Sequence, residues 1–157
     1  MKLLGFLEEK AVVLDMQART KEEAVRELIQ ELVKQGGISE ADKDPLVKAV
    51  LEREARGSTG LGEGIAIPHV KDSPHVEGLT GVFGRSQEGI PFDAVDGRPV
   101  HLVFLILGGE GCASDHIGTL RKLAALRMNN HFLRFLRDAK DEDEVVDIIK
   151  EMSGSVA

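Results

Sequence analysis

Arg53, His69 and His116 are residue types that suit one chemistry, the transfer of a phosphoryl group through a histidine. An imidazole with an unperturbed pKa of about 6.5 is largely neutral at pH 7, so one ring nitrogen keeps a lone pair that can attack phosphorus. Such transfer asks a protein for in-line positioning and for donors to the equatorial oxygens rather than for covalent work. Arg53 suits that task because its planar fork can bridge two oxygens, and His116 offers a further ring N–H. Between Arg53 and His69 runs a turn with glycines at 57, 60, 62 and 64. Glycines there let backbone N–H groups face an anion, so Ser58, Thr59, Gly60, Gly62 and Gly64 are candidate phosphate-binding residues. The turn lacks GxxxxGK[ST], and it follows a helical pattern rather than a strand, which argues against nucleotide-binding loops. Pro68 biases the residue before it away from helical geometry and places His69 at the rim, where the extended Ile65-Ala66-Ile67 segment ends.

The other reactive types read as structural. His75 follows Pro74 in a loop, His101 begins an apolar strand and His131 starts a helix, with no HxxxH or CxxC pair that would suggest a metal. Cys112 has no adjacent base in sequence and reads as inert. Asp93 and Asp96 belong to turn chemistry. Nothing in the sequence asks for a cofactor.

The elements that must position these groups follow from pattern. Thr20 and Glu23 form a capping box ahead of Ala24, Val25, Leu28, Ile29, Leu32 and Val33, and Gly36-Gly37 stops that helix. Asp44-Pro45 predicts an N-cap and first position for a second helix ending near Ala55, with Arg53 in its last turn. Leu79 to Ser86 reads as a strand followed by a turn region. Val100 to Leu107 is almost wholly apolar, which predicts a central strand covered on both faces. Ser114 or Asp115 caps a helix whose first turn holds His116, Asn130 caps another, and Asp141 with Glu144 boxes the last. The fold class is α/β, a layered α/β/α arrangement with a mixed central sheet flanked by helices, and residues 1–157 form one domain.

Composition excludes several classes of function. The 20 basic and 27 acidic residues leave a net charge of −7, which gives no electrostatic reason to approach nucleic acid or an anionic membrane. No apolar run approaches the roughly 20 residues of a membrane helix, and MKLLGFLEEK is too short and too soon acidic for a secretory signal. The single cysteine fits a reducing compartment, so the expected location is the cytoplasm.

Taken together, KEEAVRELIQELVKQGG, ERE, GSTGLGEGIAIPH, DGRPVHLVFLIL and DHIGTLRKLAAL resemble the fructose/mannitol-type enzyme IIA domain of the bacterial phosphotransferase system, a family that includes the nitrogen-type regulatory enzyme IIA. The resemblance implies a mixed sheet flanked by helices. It also implies that His69 accepts a phosphoryl group from the carrier HPr and passes it to a cysteine of an enzyme IIB, with Arg53 and His116 stabilising the group. The alternative it carries is a regulatory protein whose phosphorylation state selects protein partners without sugar transport. Val70 and Gly108-Gly109 depart from the family pattern, which usually has glycine at the first position and often Ala-Pro at the second.

Overall fold

The computed structural model describes residues 11–153, and the 1–10 stretch read above for a signal lies outside them. Within the described residues a six-stranded mixed sheet is built from β1 (Val12–Val13), β2 (Gly60–Gly62), β3 (Ile65–Ala66), β4 (His69–Ser73), β5 (Leu79–Ile90) and β6 (Val100–Gly109). Among the described residues five helices accompany it: α1 (Lys21–Lys34), α2 (Glu40–Ala55), α3 (Ala113–Leu126), α4 (Asn130–Asp138) and α5 (Glu142–Ser153). The strand order is β1-β5-β6-β3-β2, with β4 also on β6. β5 runs antiparallel to β6, whereas β3 and β4 are both parallel to it.

β6 is the central strand that its apolar run predicts, and its alternation sorts the core. Val103, Leu105 and Leu107 pack with α1 and α2 residues such as Leu28, Leu32, Leu46 and Val50. Leu102, Phe104 and Ile106 pack on the other face with Leu123, Leu126, Phe132, Leu136, Val145 and Ile149 of α3, α4 and α5. A period of two on the strand therefore meets two helical layers, the α/β/α arrangement expected. Among the described residues no helix is long and apolar enough to cross a membrane.

Local signals account for most boundaries. Thr20 accepts the N–H of Glu23, and Glu23 reaches back one residue past the cap to accept the N–H of Arg19, so both side chains tie down the start of α1. Asp141 accepts the N–H of Glu144 in the same way at α5. α2 begins earlier than Asp44-Pro45 suggests: Ser39 is its N-cap and Pro45 lies inside it. Ser39 spends its hydroxyl on the Asp42 carboxylate, and Pro45, the sixth residue of the helix, has no N–H to give the Ala41 carbonyl. For α4 the cap is Asn129, which accepts the N–H of Phe132, not Asn130. α3 starts before Ser114 and Asp115, with Cys112 at the N-cap and no side-chain cap bond.

The chain from β3 to β4 is one broken strand along a single edge of β6, interrupted at Pro68, whose carbonyl still accepts the N–H of Ile106. His69 therefore opens a second extended piece rather than ending the first. Along β4 the register slips: Val70 faces Leu107 and Ser73 faces Gly109, so one extra residue bulges out. Asp72, at φ 51, absorbs the bend in the left-handed region.

Candidate active site at the β4 edge

The bulge, the end of α2 and the start of α3 converge on one open cleft of about 500 Å³. β4 contributes His69, Val70, Lys71 and Asp72; α2 contributes Ala49, Glu52 and Arg53, with Arg56 as its C-cap; α3 contributes His116, Ile117 and Leu120. Alternation along β4 puts His69 and Lys71 on one face, and the register slip after Val70 interrupts that alternation at the cleft.

His69 is half-buried, and its Nδ1 lies 2.9 Å from the Ile67 carbonyl. A carbonyl oxygen only accepts, so Nδ1 carries the proton and the lone pair is on Nε2. Burial holds the His69 pKa below the ordinary imidazole value; the Ile67 carbonyl and Glu54 oppose this, while Arg53 and Lys71 add to it. The ring is thus neutral and nucleophilic at pH 7.

His116 lies 5.5 Å from His69 between ring centroids, with the two planes inclined at 56°. It is 2% exposed, and neither ring nitrogen has a hydrogen-bond partner. Burial is the main cause that lowers its pKa, with His69 and Lys71 adding to the effect and Asp72 opposing it. Its position depends on Gly108 of β6, where an added Cβ would stand 2.8 Å from Nδ1. Gly109 is equally constrained, since a Cβ there would meet the Val76 carbonyl oxygen at 2.2 Å. The Gly108-Gly109 departure noted in the sequence is therefore fitted to this site's packing.

Arg53 reaches the cleft from the last turn of α2 and donates from Nη1 to the Gly57 carbonyl, at 3.2 Å. The helix end that holds it is fastened by its neighbour Glu54, a buried carboxylate. Glu54 is paired with Lys21 at 3.0 Å and accepts from both the N–H and the hydroxyl of Thr59.

The glycine-rich turn is not brought to the cleft. Ser58 donates its hydroxyl to the Phe92 carbonyl and accepts the N–H of Gly60, while Thr59 is committed to Glu54. Glu63 and Gly64, at φ 56 and 79, form the tight two-residue turn between β2 and β3. The Gly64 carbonyl accepts from His101 and Leu102, four residues along β6 from the Ile106 that faces His69, or about 13 Å away. Gly60 is needed for close approach, since a Cβ would fall 2.8 Å from that of Ala94. Ser58, Thr59, Gly60, Gly62 and Gly64 thus build the sheet edge, and the ionisable groups that share the cleft with His69 are Arg53, Arg56, Lys71 and His116 together with the carboxylates Glu52 and Asp72.

Sequence reasoning missed Arg56 and Lys71. Arg56 lies three residues after Arg53, one helical turn on, and this spacing was a usable signal. Lys71 lies two residues after His69 on β4, so strand alternation puts it on the same face, and this spacing was a usable signal as well. His75 also proved to have a partner, the Asp42 carboxylate at 2.8 Å, outside the cleft.

Residues 5–152 match the model of the phosphoenolpyruvate-dependent sugar phosphotransferase system EIIA 2 family. The chain is 36% identical over 151 residues to the fructose-specific EIIABC component of the phosphotransferase system of Bacillus subtilis, covering 96% of this chain and 23% of that protein. Among solved structures, the nitrogen regulatory protein IIA-Ntr from Neisseria meningitidis superposes with a TM-score of 0.80 at 35% identity, over 90% of this chain and 94% of that one. The mannitol enzyme IIA of Escherichia coli, solved in complex with phosphorylated mannitol enzyme IIB, gives 0.74 at 28% identity, over 90% of this chain and 95% of that one. The chain belongs to the EIIA 2 family of the phosphoenolpyruvate-dependent sugar phosphotransferase system.

Proposed function

We propose that this protein is a phosphocarrier that accepts a phosphoryl group on His69 Nε2 from an HPr-type donor and relays it to the cysteine of an enzyme IIB for sugar uptake. The observation that carries this reading is the His69 ring itself: Nδ1 is tied to the Ile67 carbonyl, which leaves the Nε2 lone pair for a cleft whose bases are Arg53, Arg56, Lys71 and His116. In the step, that lone pair forms a bond to phosphorus as the donor's P–N bond breaks, and the electron pair of that bond returns to the donor imidazole. The positive charge left on the His69 ring is shared through Nδ1–H with the Ile67 carbonyl. Two negative charges on the phosphoryl group then face Arg53 and Lys71, which oppose a protonated His69 ring but attract an anion on it. The rim suits protein donors and acceptors: Val70, Ile117 and Leu120 are apolar, and Ile117 is 49% exposed.

The test is intact mass at neutral pH after incubation with phosphoenolpyruvate, enzyme I and HPr, compared with His69→Gln. One added phosphoryl group that is absent from the variant is the expected result; equal labelling of the variant would remove His69 from the account.

A second reading, a regulatory protein whose phosphorylation at His69 governs binding to protein targets, is favoured by the likeness to the nitrogen regulatory structure, which is higher than that to the mannitol enzyme IIA. The two readings part at the next step. Rapid transfer from charged protein to an enzyme IIB supports the relay. No transfer, with a target that binds one phosphorylation state more tightly, supports regulation.

A further inference from the structure

Among the described residues, the buried side-chain nitrogen and oxygen atoms without a hydrogen-bond partner are His116 Nδ1, His116 Nε2 and Thr119 Oγ1. They are three residues apart on α3, and Thr119 is 0% exposed where His116 is 2%. Buried polar groups are normally paired, so an orphaned hydroxyl one helical turn from an orphaned imidazole asks for an explanation. The two are complementary: a hydroxyl donates one proton, and a neutral imidazole presents one acceptor nitrogen.

Orientation selects which nitrogen is which. The His116 atoms nearest the site of a Cβ on Gly108 are Nδ1 at 2.8 Å, then Cγ and Cε1, so the Nδ1 edge of the ring lies against the sheet. Nε2, buried like Nδ1, is then the nitrogen on the ring edge away from Gly108. Residues at i and i+3 of a helix have Cβ atoms about 5–6 Å apart, and helical side chains lean toward the N-terminus, which tilts Thr119 toward the turn that holds His116.

We infer that Thr119 is a positioning residue that fixes the tautomer of His116: in the phosphorylated protein its hydroxyl donates to Nδ1, so that Nε2 carries the proton and donates it to the phosphoryl oxygen. This rests on the phosphohistidine reading above. In the unphosphorylated protein neither bond is made, and rotation about the Thr119 χ1 completes the pair when an anion engages Nε2. The logic is that of a ligand histidine, where the hydrogen bond at one nitrogen sets the state of the other.

The experiment compares wild type, Thr119→Val and Thr119→Ser. Thr119→Val keeps the shape and removes an unpaired hydroxyl, so it folds at least as stably as wild type. Each protein is charged through enzyme I and HPr. The His116 tautomer is then read by long-range ¹H–¹⁵N NMR, and the lifetime of the phosphoryl group by mass at neutral pH. Wild type and Thr119→Ser are expected to show a single Nε2–H tautomer, and Thr119→Val a mixture with phosphoryl loss about fivefold faster, the effect of one hydrogen bond. A Thr119→Val protein with wild-type tautomer and lifetime overturns the inference, as does Thr119→Ser behaving like Thr119→Val, which would assign the effect to packing. If His69 of wild type takes no phosphoryl group at all, the phosphohistidine reading fails and the inference falls with it, a result distinct from the other two.

Discussion

Gly108→Ala is a single methyl group aimed at the site, and its effect follows from one distance. The new Cβ would stand 2.8 Å from His116 Nδ1, with Cγ and Cε1 of the same ring at 3.5 and 3.6 Å. An ordinary contact of this kind is about 3.4 Å, so the ring must retreat by at least about 0.6 Å, and it is held between β6 and its own helix. Overpacking of this sort costs about 1–3 kcal/mol of stability. The larger consequence is for transfer, because a misplacement of about 1 Å in a site that works by positioning can cost about 100-fold. The expected result is a fall of about 10- to 100-fold in the rate at which phosphorylated HPr charges His69, by quenched-flow mass measurement, with a folded protein by circular dichroism. The control is Gly118→Ala on α3, where no atom lies within 4 Å of the added Cβ. That change should raise stability by about 0.5–1 kcal/mol and leave transfer intact. A Gly108→Ala protein that charges at the wild-type rate would refute the claim that this glycine seats His116 for the reaction.

Three further outcomes are expected. Arg53→Lys keeps a positive charge but loses the planar fork, so charging of His69 should slow by about tenfold or more with little change in melting temperature; an unchanged rate would leave Arg53 as a solvated helix residue. Glu54→Ala leaves Lys21 without its buried partner and Thr59 without its acceptor, which should cost about 3–5 kcal/mol and lower the melting temperature by about 10 °C, read by thermal unfolding. His69 and His116 both have pKa values below the ordinary 6.5, so between pH 6.5 and the folded values the unfolded chain binds more protons than the native one. Stability is therefore complete above about pH 6.5 and declines as pH falls through that window, by at most about 1.4 kcal/mol per pH unit for each histidine. Urea unfolding from pH 8 to 5 should show the decline, and His69→Gln should make it shallower.

What the sequence disclosed and what it withheld divide by range. The boxes at Thr20–Glu23 and Asp141–Glu144 are signals within one turn, and the apolar run of β6 reports burial on both faces whatever covers them. These local facts were legible, and Arg53, His69 and His116, singled out by residue type and spacing, line one cleft. The glycine-rich turn misled for a physical reason. Positive φ and the absence of a side chain serve a tight hairpin and a phosphate loop equally, and only the antiparallel pairing of β2 with β3 shows which one the chain builds. Other features exist only in three dimensions. Gly108 matters because α3 lays His116 over it, and His75 meets Asp42 across 33 positions of sequence.

The central claim is that Nε2 of His69 is the atom that carries the phosphoryl group, because Nδ1 is already committed to the Ile67 carbonyl. The most direct measurement is ³¹P–¹⁵N coupling in protein labelled with ¹⁵N-histidine and charged at neutral pH. A phosphorus signal coupled to His69 Nε2 is the expected result. Coupling to Nδ1, or to a nitrogen of His116 or of any other histidine, would contradict it.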